Sequence, residues 1–84
     1  MNSENLQAIG RREGLKLEKT SLEASIKALQ SAIRETLNPY VRIEEMDVTL
    51  LPEQSYELAE KVQAYKATVA GISRINQDLG VTRG

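Results

Sequence analysis

A repeat of apolar residues seven positions apart in the first half of the chain most constrains its fold. The spacing between successive positions of this repeat alternates between four and three residues. The stripe consists of Leu15, Leu22, Ile26, Leu29, Ile33 and Tyr40. Such alternation keeps one narrow apolar stripe on one side of an α-helix, where it can face a partner helix. The repeat therefore predicts a helix that packs lengthwise against another helix.

A second stripe with the same spacing lies in the second half of the chain. It consists of Leu58, Val62, Tyr65, Val69, Ile72 and Leu79. Pro39 lies between the two stripes, and a proline ends or kinks a helix because it cannot donate the helical hydrogen bond. The two stripes therefore predict an all-α fold, an antiparallel, coiled-coil-like hairpin of two helices. Residues 1–84 are expected to form this single domain, with the stripes as its helix seam.

The first helix is expected over about residues 14–37, and an earlier start at residue 3 is left open. Gly10 and Gly14 argue against the early start, because each costs about 1 kcal/mol relative to alanine inside a helix. Leu15 already lies in register with Leu22. The helix is therefore secure from Gly14 onward.

The second helix is expected over about residues 52–79. Pro52 suits the first turn of a helix, and Gly80 suits a left-handed C-cap. The connection, residues 38–51, contains two short runs of alternating apolar and polar residues. Such runs fit either a miniature β-hairpin or a folded connecting loop, and we prefer the loop.

Small residues form further stripes outside the predicted seam. They are Ala24, Ala28, Ala32, Ala64, Ala67 and Gly71. Alanine is also the best helix former on a surface, but an exposed glycine destabilises a helix. Leu17, Leu37 and Ile75 lie outside the seam as well. We therefore predict an oligomer face, with a homodimer completing a four-helix bundle by two-fold symmetry or a heteromeric helical partner serving instead.

Two polar residues, Asn76 and Lys19, occupy positions of the predicted seams. A single polar residue at such a position often sets register or oligomeric state at some cost in stability. Both lie toward the open end of the hairpin, opposite the turn. Either the seam ends near them, which we prefer, or they pair in a specific partner arrangement.

The composition argues against catalysis. The chain has neither cysteine nor histidine, so thiolate metal sites, thiol–imidazole pairs and the common catalytic triads cannot form. Glu57 and Glu60 resemble half of a carboxylate metal site in a helical bundle, but the usual histidine partner is missing. We expect no enzymatic activity, no metal, no cofactor and no small-molecule substrate.

The charges are unevenly placed along the chain. Residues 41–60 carry six acidic side chains and one basic side chain. Glu44, Glu45 and Asp47 form a candidate acidic tip, which is either a solvated surface or a dock for a basic partner. These three lack the ligand spacing of an EF-hand loop, so we do not assign them a metal.

A basic patch near the N-terminus gives the alternative function, a small nucleic-acid-associated regulator. It consists of Arg11, Arg12, Lys16 and Lys19. Glu13 and Glu18 interrupt the patch, and no aromatic residue nearby could stack on a base. Nucleic acid is therefore not the expected partner.

In size and hairpin form the chain is similar to type III secretion needle subunits and their small helical chaperones. Asn38-Pro39 resembles the proline-containing turn of the needle subunits, although the connection here is longer.

The first residues lack the apolar core of a signal peptide, and no run approaches the ~18 apolar residues of a membrane span. We expect a cytoplasmic, non-enzymatic interaction or assembly protein that works as an adaptor, chaperone or structural subunit.

Overall fold

The computed structural model describes residues 3–80, which form two long helices. Helix α1 spans Ser3–Thr36 and helix α2 spans Leu51–Asp78, with a 3-10 helix at Ile43–Glu45 between them. No strand occurs anywhere in residues 3–80. The predicted all-α, two-helix architecture is therefore confirmed, and the alternative of a miniature β-hairpin in the connection is wrong.

The two helices run antiparallel along nearly their whole length. Arg12 near the start of α1 contacts Asn76 near the end of α2, and Tyr65 contacts Glu23 halfway along. The molecule is a rod of 63 × 22 × 14 Å. Its radius of gyration is 18.4 Å, whereas a compact domain of this length would have about 12 Å. The hairpin is therefore a single layer of two helices.

Helix α1 takes the earlier of the two predicted starts. It begins at Ser3, so Gly10 and Gly14 both lie inside it. The Thr20–Glu23 segment, which has the spacing of a capping box, is also internal, and the Thr20 hydroxyl donates to the Lys16 carbonyl one turn back. Packing against α2 offsets the cost of the two glycines, since tertiary contacts supply most helical stability in proteins.

The connection is a folded loop held by short-range hydrogen bonds. The Tyr40 amide donates to the Asn38 side chain at 2.9 Å, and the Thr49 amide donates to the Asp47 carboxylate at 3.1 Å. Asparagine and aspartate commonly stabilise turns in this way. Tyr40 is 92% exposed, because α1 ends at Thr36. The apolar stripe of α1 therefore ends at Ile33 and does not include Tyr40.

Helix α2 begins one residue before the predicted start and ends one residue early. Pro52 lies in its first turn, as the sequence indicates. At the other end Gly80 adopts φ = 75°, and its amide donates to the Gln77 carbonyl at 3.0 Å. The predicted left-handed cap at Gly80 is therefore confirmed. An apolar contact often accompanies such a cap, and Val81, the residue that we expect to make it, lies outside the described residues.

The seam of α2 follows a different register from the predicted one in its C-terminal half. Thr68 and Ile75 are buried, whereas Val69 is 38% exposed and Asn76 is half-buried. Leu58, Tyr65, Ile72 and Leu79 belong to both registers and are all half-buried. The observed register buries Ile75 in the seam, whereas the predicted register would have placed Asn76 there. It also tolerates Thr68, because the Thr68 hydroxyl donates to the Ala64 carbonyl at 2.9 Å.

Candidate protein–protein interface

The seam between α1 and α2 supplies only a thin core. Ala8, Thr68 and Ile75 are the buried residues of the described chain, and no large side chain there is fully enclosed. The predicted seam residues Leu15, Leu22, Ile26, Leu29 and Ile33 of α1 are all half-buried, as are Leu58, Val62, Tyr65, Ile72 and Leu79 of α2. Each helix therefore contacts its partner along one stripe and leaves its flanks in water.

A groove near the open end identifies one flank of the hairpin. It is lined by Arg11, Gly14, Leu15, Gly71, Arg74 and Ile75. Because seven residues make almost two helical turns, residues at steps of seven from these lie on the same flank. Such steps lead from Arg11 to Ala32 and from Gly14 to Ala28. On α2 they lead from Gly71 back to Ala64 and from Arg74 back to Ala67.

Small residues therefore cover the middle of this flank. We call this surface the small-residue face: Ser21, Ser25, Ala28, Ala32, Ala64, Ala67 and Gly71. Five of the six residues of the predicted oligomer face belong to it. The sixth, Ala24, is exposed and lies about half a helical turn from the seam residues Leu22 and Ile26, so it points away from both flanks.

Gly71 lies against the side chain of Leu15 on this face. A Cβ atom placed on Gly71 would lie 3.2 Å from Cδ1 of Leu15. Gly71 thus lets the Leu15 side chain lie against the backbone of α2. The absence of a side chain also keeps the surface outside this contact flat. Flat surfaces of small residues allow another helix to approach closely.

The opposite flank is more strongly charged. A groove there is lined by Glu23, Ile26, Lys27, Gln30, Val62, Tyr65 and Lys66. The Tyr65 hydroxyl donates to the Glu23 carboxylate at 3.4 Å across this groove. Val69 continues the same flank, one step of seven beyond Val62. Charged side chains thus border the apolar centre of this flank, whereas the middle of the small-residue face has none.

The turn end combines exposed apolar side chains with the candidate acidic tip. Tyr40 and Ile43 are exposed there, and so are Glu44, Glu45 and Asp47. Glu44 and Glu45 lie in the 3-10 helix, where Glu44 contacts Arg42 at 3.4 Å. An open groove of about 670 Å³ lies at the end of the hairpin near the turn, with Ile33, Leu37, Pro39, Tyr40 and Leu58 in its lining.

Two exposed groups in this half of the molecule have shifted pKa values. The Thr49 hydroxyl, and then the Thr49 amide, hold the pKa of Asp47 below the ordinary value of an aspartate. The neighbouring Glu60 carboxylate raises the pKa of the Tyr56 hydroxyl. Both shifts come from local hydrogen bonds on the surface, one in the connection and one within α2, so they do not indicate a catalytic site.

The predicted basic patch is partly neutralised by Glu13 within α1, and its Arg12 is also hydrogen-bonded to α2. Glu13 contacts Arg12 at 3.5 Å and Lys16 at 3.4 Å. Arg12 also donates from Nη1 to the Asn76 side chain at 2.8 Å. The seam does not end at Asn76, because Ala8 and Ile75 are buried at the same end. The expectation that the seam ends near Asn76 is therefore wrong. Within the hairpin Asn76 accepts a hydrogen bond from Arg12, and a specific partner arrangement stays a prediction.

Other kinds of site are not apparent in the described part of the chain. Within residues 3–80 no three acidic side chains lie close enough together to hold a metal ion. Neither α1 nor α2 is apolar enough over a sufficient length to span a membrane. Comparisons with protein-family models, with curated proteins and with solved structures find no match to this chain. The case for a function therefore depends on the surfaces of the hairpin itself.

Proposed function

We propose that this chain is a non-enzymatic assembly protein that self-associates as a two-fold dimer, forming a four-helix bundle. The observation that carries the proposal is the amount of surface left open. The hairpin exposes 6648 Å², whereas a compact protein of this mass exposes about 5,000 Å². The excess, roughly 1,700 Å² per chain by this scaling, exceeds the ~800 Å² that each partner contributes to a standard interface.

The small-residue face supports this proposal better than the other surfaces do. It is broad and uncharged across its middle, and alanine, serine and glycine let helices pack at short interaxial distances. Two such faces related by a two-fold axis would also cover the open side of Leu15, which lines the groove on this flank. Closed two-fold symmetry is the commonest way to cover a surface of this kind.

Sedimentation equilibrium at micromolar concentration tests the proposal directly. We expect a single species of twice the chain mass of 9.3 kDa, dissociating on dilution. A well-folded monomer at the same concentrations, with a strongly helical circular dichroism spectrum, would contradict self-association. The small-residue face would then be a docking surface for a different helical protein.

Matched substitutions then test which face forms the contact. Ala28→Glu and Ala67→Glu place a carboxylate on the small-residue face, one on each helix. Ala24→Glu and Ala70→Glu place the same carboxylate on the outer surface of the same helices, and all four positions are exposed. We expect at least tenfold weaker association for the first pair and little change for the second. Equal effects of both pairs would rule out this face.

A further inference from the structure

The two halves of the rod carry opposite charge. The open half, residues 5–22 and 66–80, has six basic and three acidic side chains, a net charge of +3. The turn half, residues 23–65, has four basic and eight acidic side chains, a net charge of −4. In a rod 63 Å long, the centres of the two halves lie several Debye lengths apart, since that length is about 8 Å at physiological salt. Each half therefore presents its own charge to a neighbouring molecule.

A two-fold dimer built on one flank of a rod can be arranged in two ways. With the axis along the rod, the two turn ends lie side by side. With the axis across the rod, the turn half of each copy lies against the open half of the other. In both cases each helix lies beside an antiparallel helix of the partner copy. The helix dipoles therefore do not distinguish the arrangements, and the side-chain charges do.

We infer that the hairpin pairs with a second copy of itself head to tail, with the two-fold axis crossing the small-residue face. This inference rests on the proposed self-association and adds its geometry. The head-to-tail arrangement places the −4 half against the +3 half twice in each dimer. The side-by-side arrangement places like charge on like at both ends, which is unfavourable across an interface.

The two ends of the small-residue face differ in charge. Glu57 and Glu60 lie two steps of seven before Gly71 and Arg74, so they occupy the turn end of the same flank. Arg11 and Arg74 line the groove at its open end. The uncharged middle, from Ala28 to Ser21 on α1, separates the two groups. By the same steps of seven, Glu18 follows Arg11 and Asp78 follows Gly71, so the open end carries both signs and only the turn end is acidic. Head-to-tail pairing keeps the two acidic ends apart, whereas side-by-side pairing brings them together.

Distances between spin labels test the arrangement, and labelling is specific because the chain has no cysteine. Nitroxides are placed at Val48→Cys in the turn and, separately, at Gln77→Cys near the open end, both exposed positions. The stretch from Leu51 to Gln77 is about 39 Å long at 1.5 Å per residue. We therefore expect pulsed electron resonance on each singly labelled dimer to give like-site distances of about 40 Å. A mixed dimer should give a Val48–Gln77 distance of roughly 25 Å or less, given interaxial spacings of 8–10 Å.

Each outcome bears on a different claim. Like-site distances below about 25 Å at both positions, the spacing of neighbouring helices plus two labels, would overturn the head-to-tail arrangement and leave self-association intact. If sedimentation shows only a monomer and the spin labels give no intermolecular distance, the proposed self-association and the head-to-tail arrangement are both overturned.

Charge reversal provides a second readout that does not depend on labels. The variant Glu57→Lys/Glu60→Lys should weaken the homodimer at least tenfold, and so should Arg11→Glu/Arg74→Glu. An equimolar mixture of the two variants should recover association to within about threefold of the unmodified chain, since complementary charges again face each other. Stronger association of the Glu57→Lys/Glu60→Lys homodimer would overturn the inference, because it would mean that like charges had been facing each other.

Discussion

Arg12 and Asn76 join the two helices by a hydrogen bond of 2.8 Å from Nη1 to Oδ1, although they lie 64 residues apart in the chain. The Arg12 Nε atom is buried and lies 3.5 Å from the Glu13 carboxylate, without the geometry of a hydrogen bond. The Asn76 oxygen therefore accepts from Nη1 of this partly buried guanidinium, whereas its Nε has no acceptor. It also fixes the lengthwise register of α1 against α2 at the open end.

Replacing Asn76 should therefore destabilise the hairpin. Asn76→Ala removes the acceptor from a charged donor, and we expect a loss of about 1–2 kcal/mol in the free energy of unfolding. The neighbouring exposed position gives the control, Gln77→Ala, for which we expect no loss, since alanine is the better helix former. Urea denaturation followed by circular dichroism measures both. If the two variants lose the same stability, Arg12 and Asn76 do not set the register.

A second prediction distinguishes the observed register of the α2 seam from the register predicted from the sequence. Ile75 is 6% exposed and Val69 is 38% exposed. Ile75→Ala should cost about 2–4 kcal/mol, as large-to-small changes at buried positions do. Val69→Ala should cost less than about 1 kcal/mol, because more than a third of the Val69 surface already contacts water. Thermal unfolding compares the two variants, and a larger loss for Val69→Ala would support the register predicted from the sequence.

The helices, their order and the turn between them were predictable because their signals are local. Apolar steps of four and three, Pro52 at a helix start and Gly80 at a helix end act within a few residues. The register of α2 was not predictable in this way. Leu58, Tyr65 and Ile72 fit two alternative seams, and the choice depends on contacts with residues some sixty positions away in the chain. Thr68 is polar, so the pattern of apolar residues did not indicate that it would be buried.

The glycines of the two helices should respond differently to alanine. Gly10 has no heavy atom within 4 Å of the position that a Cβ would take, so Gly10→Ala should stabilise the hairpin by about 1 kcal/mol. At Gly71 the added Cβ would lie 3.2 Å from Cδ1 of Leu15. Because Leu15 is half-buried and can shift, Gly71→Ala should stabilise less than Gly10→Ala does. Chemical denaturation measures both, and an equal gain would mean that the contact with Leu15 costs nothing.

The predicted oligomer face was recovered in part, for a physical reason that the sequence alone does not contain. Alanines spaced by four drift around a helix, because four residues exceed one turn of 3.6. Ala24, Ala28 and Ala32 are therefore spread from the outer surface of α1 to its flank. The position of α2 determines which side of α1 forms a continuous surface with α2. Ala28 and Ala32 lie on that side. The grooves beside Gly71 and Val62 distinguish the two flanks.

The turn should respond to pH through Asp47. Hydrogen bonds from Thr49 lower the pKa of Asp47 in the folded chain. The ionised form therefore stabilises the turn at pH values above the ordinary pKa of an aspartate, and this contribution is lost as the pH falls through the lowered pKa. Thr49→Val removes the hydroxyl and keeps the amide, so the pKa of Asp47 should rise part of the way toward its ordinary value. Carbon-detected NMR titration measures it.

The control for this titration is Thr36→Val, which removes a hydroxyl bonded to the Ala32 carbonyl within α1. This variant should leave the pKa of Asp47 unchanged. A pKa of Asp47 at its ordinary value in the unmodified chain would show that the Asp47–Thr49 turn is not populated in solution.

Thr68 offers the clearest test of how a polar residue can lie in the seam. Its hydroxyl donates to the Ala64 carbonyl at 2.9 Å, and Thr20 makes the same bond to the Lys16 carbonyl at 3.1 Å on the exposed side of α1. Valine has the same shape as threonine with a methyl group in place of the hydroxyl. Since both carbonyls lie within helices, neither loses its only possible partner. Thr68→Val should therefore stabilise the hairpin by about 0.5–1 kcal/mol, the gain from burying one more methyl group.

Thr20→Val should change the free energy of unfolding by less than about 0.5 kcal/mol, as is usual for exposed substitutions. The difference between the two variants, measured by urea denaturation, isolates the effect of burial, because the backbone bond is the same in both. If Thr68→Val destabilises the hairpin, the Thr68 hydroxyl contributes more than its bond within α2. The register of the seam would then depend on that hydroxyl as well as on the burial of Ile75.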